Sequence, residues 1–218
     1  MNRRRCWVCG AGEFTSRLLV PRQDDLVVAA DGGLDHLKQL RILPQHILGD
    51  FDSLNYQPEG DNVTVYPSEK DDTDMLLAVK YGLEQGYQTF LLYGSLGGRL
   101  SHTVANLQVL RFLCERGCHG VLVGGDSIVT MIRDEGISFA PSCAGMLSVF
   151  AQGGDAEGVT IRHLKYNVED ARLSPDYALG VSNAFVGEGA EIAVRKGALL
   201  LVWEEDTSDF NKMRFCAL

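Results

Sequence analysis

His46-Ile47-Leu48-Gly49-Asp50-Phe51-Asp52-Ser53 joins a short apolar run directly to an acidic turn. The run reads as a strand, and residues two apart in extended backbone project to the same side, so Asp50 and Asp52 can converge on one cation. The alternative is a plain polar turn, for which Gly-Asp and Asp-Ser are ordinary chemistry. A repeated pattern shifts the balance towards a site. Leu26–Ala30 runs into Asp31-Gly32-Gly33, Val63–Tyr66 towards Lys70-Asp71-Asp72-Thr73-Asp74, and Thr89–Tyr93 into Gly94-Ser95-Leu96-Gly97-Gly98-Arg99. Open parallel sheets bind ligands beyond the carboxyl ends of their strands, where these acids and glycines fall.

Outward from that segment, Cys6–Cys9, Gly120–Val123 and Ser127–Ile132 add further strand-like runs. Between strands, Met75, Leu76, Val79 and Leu83 make one helical stripe, and Val104, Leu107, Leu110 and Cys114 another. Asp71 or Asp72 is placed to cap the first helix, and Ser101 the second. Strands alternating with helices predict an α/β domain over residues 1–136, with a Rossmann-like, mainly parallel sheet flanked by helices. Beyond Gly136 the apolar runs shorten to Met146–Phe150, Val159–Ile161, Ile192–Val194 and Leu199–Trp203, separated by Gly, Pro, Asn and Asp. That texture predicts a small all-β sandwich domain over 137–218. The charged stretch Glu204–Lys212 reads as frayed surface.

The chain has 218 residues and a formal charge of −9, from 29 acidic and 20 basic side chains. Such a balance disfavours nucleic acid or an anionic membrane as partner, and an anionic ligand must be held by local devices such as a cation or a helix N-terminus. Arg3-Arg4-Arg5 precedes an apolar stretch broken at Gly10 and Gly12, too short for a signal peptide, so it reads as a solvated terminus. No run has the apolar length of a transmembrane helix. The six cysteines lie mostly in apolar surroundings, which points to a reduced, cytoplasmic location. Cys6-x-x-Cys9 with Cys114-x-x-x-Cys118 has zinc-like spacing, but offset-three side chains on a strand face opposite ways.

In the Lys70 to Asp74 cluster, Asp71 and Asp74 share a face if a helix starts there, while Thr73 adds a hydroxyl and Lys70 a cation. One acid suffices for capping; three in four positions repel one another, and a counter-cation relieves this. Gly94–Arg99 is a glycine-rich strand-to-helix turn whose amides can cradle phosphate while Arg99 pairs with its oxygens. His102 and Asn106 lie one turn apart on the helix that follows. Ser182-Asn183 and Leu164-Lys165-Tyr166-Asn167 read as turns.

Taken together, Asp31-Gly32-Gly33, Gly49-Asp50-Phe51-Asp52-Ser53, Lys70-Asp71-x-Thr73-Asp74, Gly97-Gly98-Arg99-x-x-His102 and Ser182-Asn183 resemble the thiamine pyrophosphokinase (thiamine diphosphokinase) family, over nearly the whole chain. The resemblance implies a transferase moving a pyrophosphoryl group from ATP to the thiamine hydroxyl, with release of AMP, for thiamine diphosphate biosynthesis. It implies a homodimer whose active site is built across the subunit interface. Asp50, Asp52 and Asp74 become Mg²⁺ ligands; Asp31, Lys70, Asp71, Thr73, Arg99 and His102 surround the ATP phosphates; Ser101, Ser182 and Asn183 contact thiamine. Asp50, Asp52, Asp74 and Arg99 form the catalytic set. Where the family pattern has Gly-Arg-x-Asp-His, this chain has Gly98-Arg99-Leu100-Ser101-His102, so a carboxylate is missing. Another Mg²⁺-dependent, nucleotide-using transferase, or a non-catalytic nucleotide or thiamine sensor, fits the same residues.

Overall fold

A computed structural model describes residues 4–205 and 207–218, which leaves Arg3 of the arginine run and Asp206 of the charged stretch outside the described residues. The chain divides into two compact units, Met1–Gly125 and Asp126–Leu218.

In the first unit the elements are β1 (Cys6–Cys9), β2 (Leu26–Ala30), α1 (Gly33–Gln39), β3 (His46–Gly49), β4 (Val63–Val65), α2 (Asp74–Glu84), β5 (Thr89–Tyr93), α3 (Leu100–Cys114) and β6 (His119–Val123). The strands pair in the order β6-β5-β1-β2-β3-β4, parallel throughout. Every residue of β1 and β2 is buried, as parallel strands covered on both faces require, and their uninterrupted apolar runs follow from that. The turn at the carboxyl end of β2 packs tightly, for a Cβ on Gly33 would lie 1.7 Å from the carbonyl oxygen of Cys9.

The caps differ from the expected ones. Thr73, rather than Asp71 or Asp72, caps α2, its Oγ1 accepting the Leu76 N–H at 3.2 Å. Such a cap contributes about 1 kcal/mol. Ser101 lies inside α3, whose N-cap is Arg99 with no side-chain cap. The helix α1 lay outside the expected set because only Leu34 and Leu37 give it an apolar face.

The second unit is antiparallel. It comprises β7 (Ser127–Arg133), β8 (Gly136–Phe139), β9 (Met146–Ala151), β10 (Ala156–Arg162), β11 (Val168–Leu173), β12 (Gly180–Ala184), β13 (Glu191–Lys196), β14 (Ala198–Glu204) and β15 (Met213–Cys216). One set of pairings runs β12-β9-β14-β7 and another β11-β10-β13-β8-β15. The strand β7, expected in a first domain ending at 136, belongs here because it pairs with β14 along its whole length. The described part of Glu204–Lys212 departs from the expected frayed surface: Ser208 and Phe210 are buried, and a 3₁₀ turn at Phe210–Lys212 leads into β15, which pairs with β8. Among the described residues no helix is long and apolar enough to cross a membrane. Cys6, Cys9, Cys118, Cys143 and Cys216 carry free thiols, and burial pushes that of Cys9 up to about 12.

Candidate active site

At the carboxyl edge of the parallel sheet, Asp31 follows β2, Asp50 follows β3, and Asp74 opens α2. Backbone geometry brings them together. The Asp31 N–H donates to Leu48 O at 2.8 Å, and Gly49 lies so close that a Cβ there would meet Asp31 Cα at 3.1 Å. Asp31 itself holds a left-handed φ of 51°, a strained conformation that concentrates at functional sites. As a result, one carboxylate oxygen from each of Asp31, Asp50 and Asp74 lies within 4.8 Å of the others.

Asp52 does not join this trio. The expectation of a shared side for Asp50 and Asp52 required extended backbone between them, but Phe51 is left-handed at φ 60° and buried, which breaks the alternation. Asp52 is exposed on the pocket wall, its N–H donating to Asp50 Oδ1 at 3.3 Å.

Lys70 threads between the acids, with Nζ 2.6 Å from Asp50 Oδ2 and 3.1 Å from Asp74 Oδ1. The hydrogen bond from Lys70 holds the Asp50 carboxyl below its ordinary range. Burial, reinforced by the nearby Asp50 and Asp31 charges, raises Asp74 in spite of Lys70. Burial also works against the Lys70 charge, yet the two carboxylates outweigh it and raise that group. Asp31 Oδ1 and Asp74 Oδ1 are buried without a hydrogen-bond partner among the described residues; the Lys70 approach to Asp74 is an ion pair without hydrogen-bond geometry. Crowded, desolvated carboxylate oxygens of this kind fit a hard divalent cation such as Mg²⁺.

These residues line a pocket of about 580 Å³, within the range of small-molecule sites. The turn Gly94–Arg99 contributes to the same lining, and its Gly94, Gly97 and Gly98 all have positive φ. The turn is anchored by buried Asn106, whose Nδ2 donates to Ser95 O at 2.7 Å. Arg99 and His102 line the pocket and pair with each other. His102, in the first turn of α3, carries the start of that helix to the same pocket, and a helix start favours anions.

Of the other expected residues, Lys70 and Thr73 line the pocket, whereas Asp71 and Ser101 are exposed and outside its lining. Ser182 and Asn183 belong to the second unit. Asn183 is buried and committed to its neighbourhood: Oδ1 accepts the N–H groups of Tyr166 and Ala184, and Nδ2 donates to Tyr166 O at 2.7 Å. Ser182 is exposed, with φ 58° at a bulge in the β12–β9 pairing.

Gly10-Ala11-Gly12-Glu13, which follows β1, forms a further wall that was not expected, and Asp72 of the acidic cluster also lines the pocket while paired with Lys80. Its place after a buried strand, like the four turns that were noticed, was the available signal.

A parallel sheet whose carboxyl edge gathers acids and a glycine-rich turn into one pocket is an arrangement suited to a polyanion held with a cation. The family model for the thiamin pyrophosphokinase catalytic domain matches residues 19–121, and that for the thiamin pyrophosphokinase vitamin B1 binding domain matches 134–199. The chain belongs to the thiamine pyrophosphokinase family, which is a family of enzymes that transfer a pyrophosphoryl group from ATP to thiamine. It is 26% identical over 198 residues to the thiamine pyrophosphokinase of Bacillus subtilis, covering 83% of this chain and 88% of the relative. Over 97 residues, 39% of this chain and 40% of the relative, it is 32% identical to thiamin pyrophosphokinase 1 of Caenorhabditis elegans. In fold it is similar to the crystal structure of the B. subtilis enzyme, with a TM-score of 0.83 at 22% identity over 93% of this chain and all of that one. The Candida albicans enzyme gives 0.76 at 15% identity, covering 93% and 90%.

Proposed function

We propose that the pocket of the first unit is the Mg²⁺–ATP site of a working thiamine pyrophosphokinase. The observation that carries this reading is the meeting of Asp31, Asp50 and Asp74 in one pocket with Arg99 and with His102 of the first turn of α3. Asp31, Asp50 and Asp74 are the residues to hold Mg²⁺, with Asp52 at the pocket wall rather than in the cluster. When bound, Mg²⁺ neutralises charge on the phosphate oxygens. The chain's own residues supply the rest: Lys70 and Arg99 offset the charge of the transferred group and of departing AMP, and the α3 amides orient the polyphosphate. Thr73 spends its hydroxyl on the cap of α2 and so sets the position of Asp74.

The first unit is Rossmann-like on this view, and the second is a sandwich, a reading supported by Phe139 of β8 meeting Trp203 of β14 at 5.8 Å between ring centroids. Thiamine binding by the second unit rests on the family match at 134–199. Ser182 is then the contact residue of the Ser-Asn pair, while Asn183 holds the Tyr166 segment in place. Exposed apolar residues of that unit, among them Tyr177 at 69%, Leu179 at 55% and Val181 at 50%, support assembly as a homodimer with a composite thiamine site. Light scattering of the purified chain should return twice the monomer mass of 23.9 kDa; a monomer at assay concentration sinks the composite site.

Ser101 lies outside the pocket lining, so its replacement of an acid leaves the nucleotide site intact, which favours an enzyme over a sensor. Incubation of purified protein with ATP, Mg²⁺ and thiamine should yield thiamine diphosphate and AMP in equal amounts by mass spectrometry. Release of ADP, or tight binding of both substrates without product, overturns the reading.

A further inference from the structure

Glu13 stands just beyond the glycine loop that follows β1, against the turn that carries Arg99. Its backbone forms an isolated antiparallel bridge with Leu96, and its Oε1 accepts the Gly98 N–H at 3.0 Å. Its side chain also fills the space beside Gly97 that a Cβ would need. Backbone bonds run along the same seam: Gly10 N–H donates to Tyr93 O at 2.9 Å, and Gly12 N–H to Gly94 O at 3.1 Å. Among the described residues these backbone ties stop near Leu96, short of Gly97 and Gly98, which have φ of 76° and 62°; the Thr103 hydroxyl reaches Gly97 O only at 3.4 Å. Paired glycines have the widest conformational range of any residues, so a turn made of them keeps one shape only if something outside it holds it.

We propose that Glu13 is a positioning residue for the phosphate end of the nucleotide site, a strut that fixes Gly97-Gly98 and thereby aims Arg99 and the first turn of α3 into the pocket. The inference rests on the proposed nucleotide site. What the strut needs from Glu13 is an acceptor oxygen of the right reach; its negative charge, close to bound phosphates, works against the ligand. Gln supplies the acceptor without the charge, and Ala supplies neither.

The test is calorimetric titration of wild type, Glu13→Ala and Glu13→Gln with a non-hydrolysable ATP analogue and Mg²⁺, paired with steady-state kinetics. Loss of one hydrogen bond of ordinary net strength should raise the nucleotide Kd and KM of Glu13→Ala about five- to tenfold. Its kcat and its KM for thiamine should change by less than about twofold, since the group touches neither thiamine nor the reacting atoms. Glu13→Gln should match wild type or bind slightly tighter. If Glu13→Ala melts early, Glu13→Met, which keeps the chain length and lacks the acceptor, carries the same expectation. Wild-type affinity in the variants without an acceptor overturns the strut, as does failure of Gln to restore binding. Tighter binding by Glu13→Ala also overturns it, because the carboxylate would then be competing with phosphate for the Gly98 N–H. A wild-type protein that binds no nucleotide refutes instead the site on which the inference rests.

Discussion

Asp74→Asn should lower thiamine diphosphate formation by about 10²- to 10³-fold, the scale of losing one preorganised electrostatic contact to the transferring group, without lowering the melting temperature. The Asp74 side chain is only 22% exposed and presents a buried Oδ1 to the cluster, and one of its carboxylate oxygens lies within 4.8 Å of those of Asp31 and Asp50. An amide keeps the shape and one oxygen, yet removes the anion that makes the trio attractive to a divalent cation. The stability side has the opposite sign. Burial and like charges raise the Asp74 carboxyl above its ordinary value. The folded state then binds that proton more tightly than the unfolded chain, so stability drops as pH rises through the unfolded value towards the raised one. At neutral pH an Asn in that place carries no such cost, and Lys70 retains Asp50 at 2.6 Å. Turnover together with thermal melting, each with and without Mg²⁺–ATP, checks both halves. Retained turnover removes Asp74 from the site, whereas a collapsed melting temperature makes it a structural acid.

The strands of the first unit were legible because parallel strands buried on both faces must be continuously apolar, and Cys6–Cys9, Leu26–Ala30 and, within β5, residues 90–93 are. Much of the second unit was not. The strand β11 buries only Leu173, its pairing with β10 shifts register at Glu157–Val159 and again at Val159–Ile161, and β12 bulges against β9. Each irregularity breaks the alternation by which half-buried strands are recognised. Within the site, Asp50 and Asp74 stood out as acids beside strand and helix ends. The place of Asp31 among them, instead of Asp52, depends on left-handed φ at Asp31 and Phe51, which non-glycine residues adopt only under tertiary constraint. The Gly10–Glu13 wall carries little charge, and its role comes from bonds to Tyr93, Gly94 and Gly98, more than eighty residues away for each pair (93 − 10, 94 − 12, 98 − 13).

Gly33→Ala should destabilise the protein by about 3 kcal/mol or more, at the upper end of overpacking costs, and lower the melting temperature by roughly 10 °C, taking about 2–4 °C per kcal/mol for a chain of this size. Gly33 is the first residue of α1, and nothing about its backbone demands glycine; helix propensity alone would favour Ala by about 1 kcal/mol. The objection is space. The added Cβ would lie 1.7 Å from Cys9 O, 2.4 Å from Cys9 C and 2.9 Å from Gly10 N. All of these are backbone atoms of β1 and of the loop after it, held by pairing to β2 and β5 on either side. No side chain can swing away, so either α1 lifts from the sheet or the Gly10–Glu13 loop shifts. Both movements disturb the pocket, because Asp31 lies two residues before Gly33 and the loop forms one of its walls. Activity should therefore fall at temperatures where the variant remains folded. Gly125→Ala is the matched control, since a Cβ there meets nothing within 4 Å and its melting temperature should stay within about 2 °C of wild type. A Gly33→Ala protein that melts with the control would show that α1 can stand off from β1 at little cost, and that the close approach of helix to strand is not what fixes Asp31 in the site.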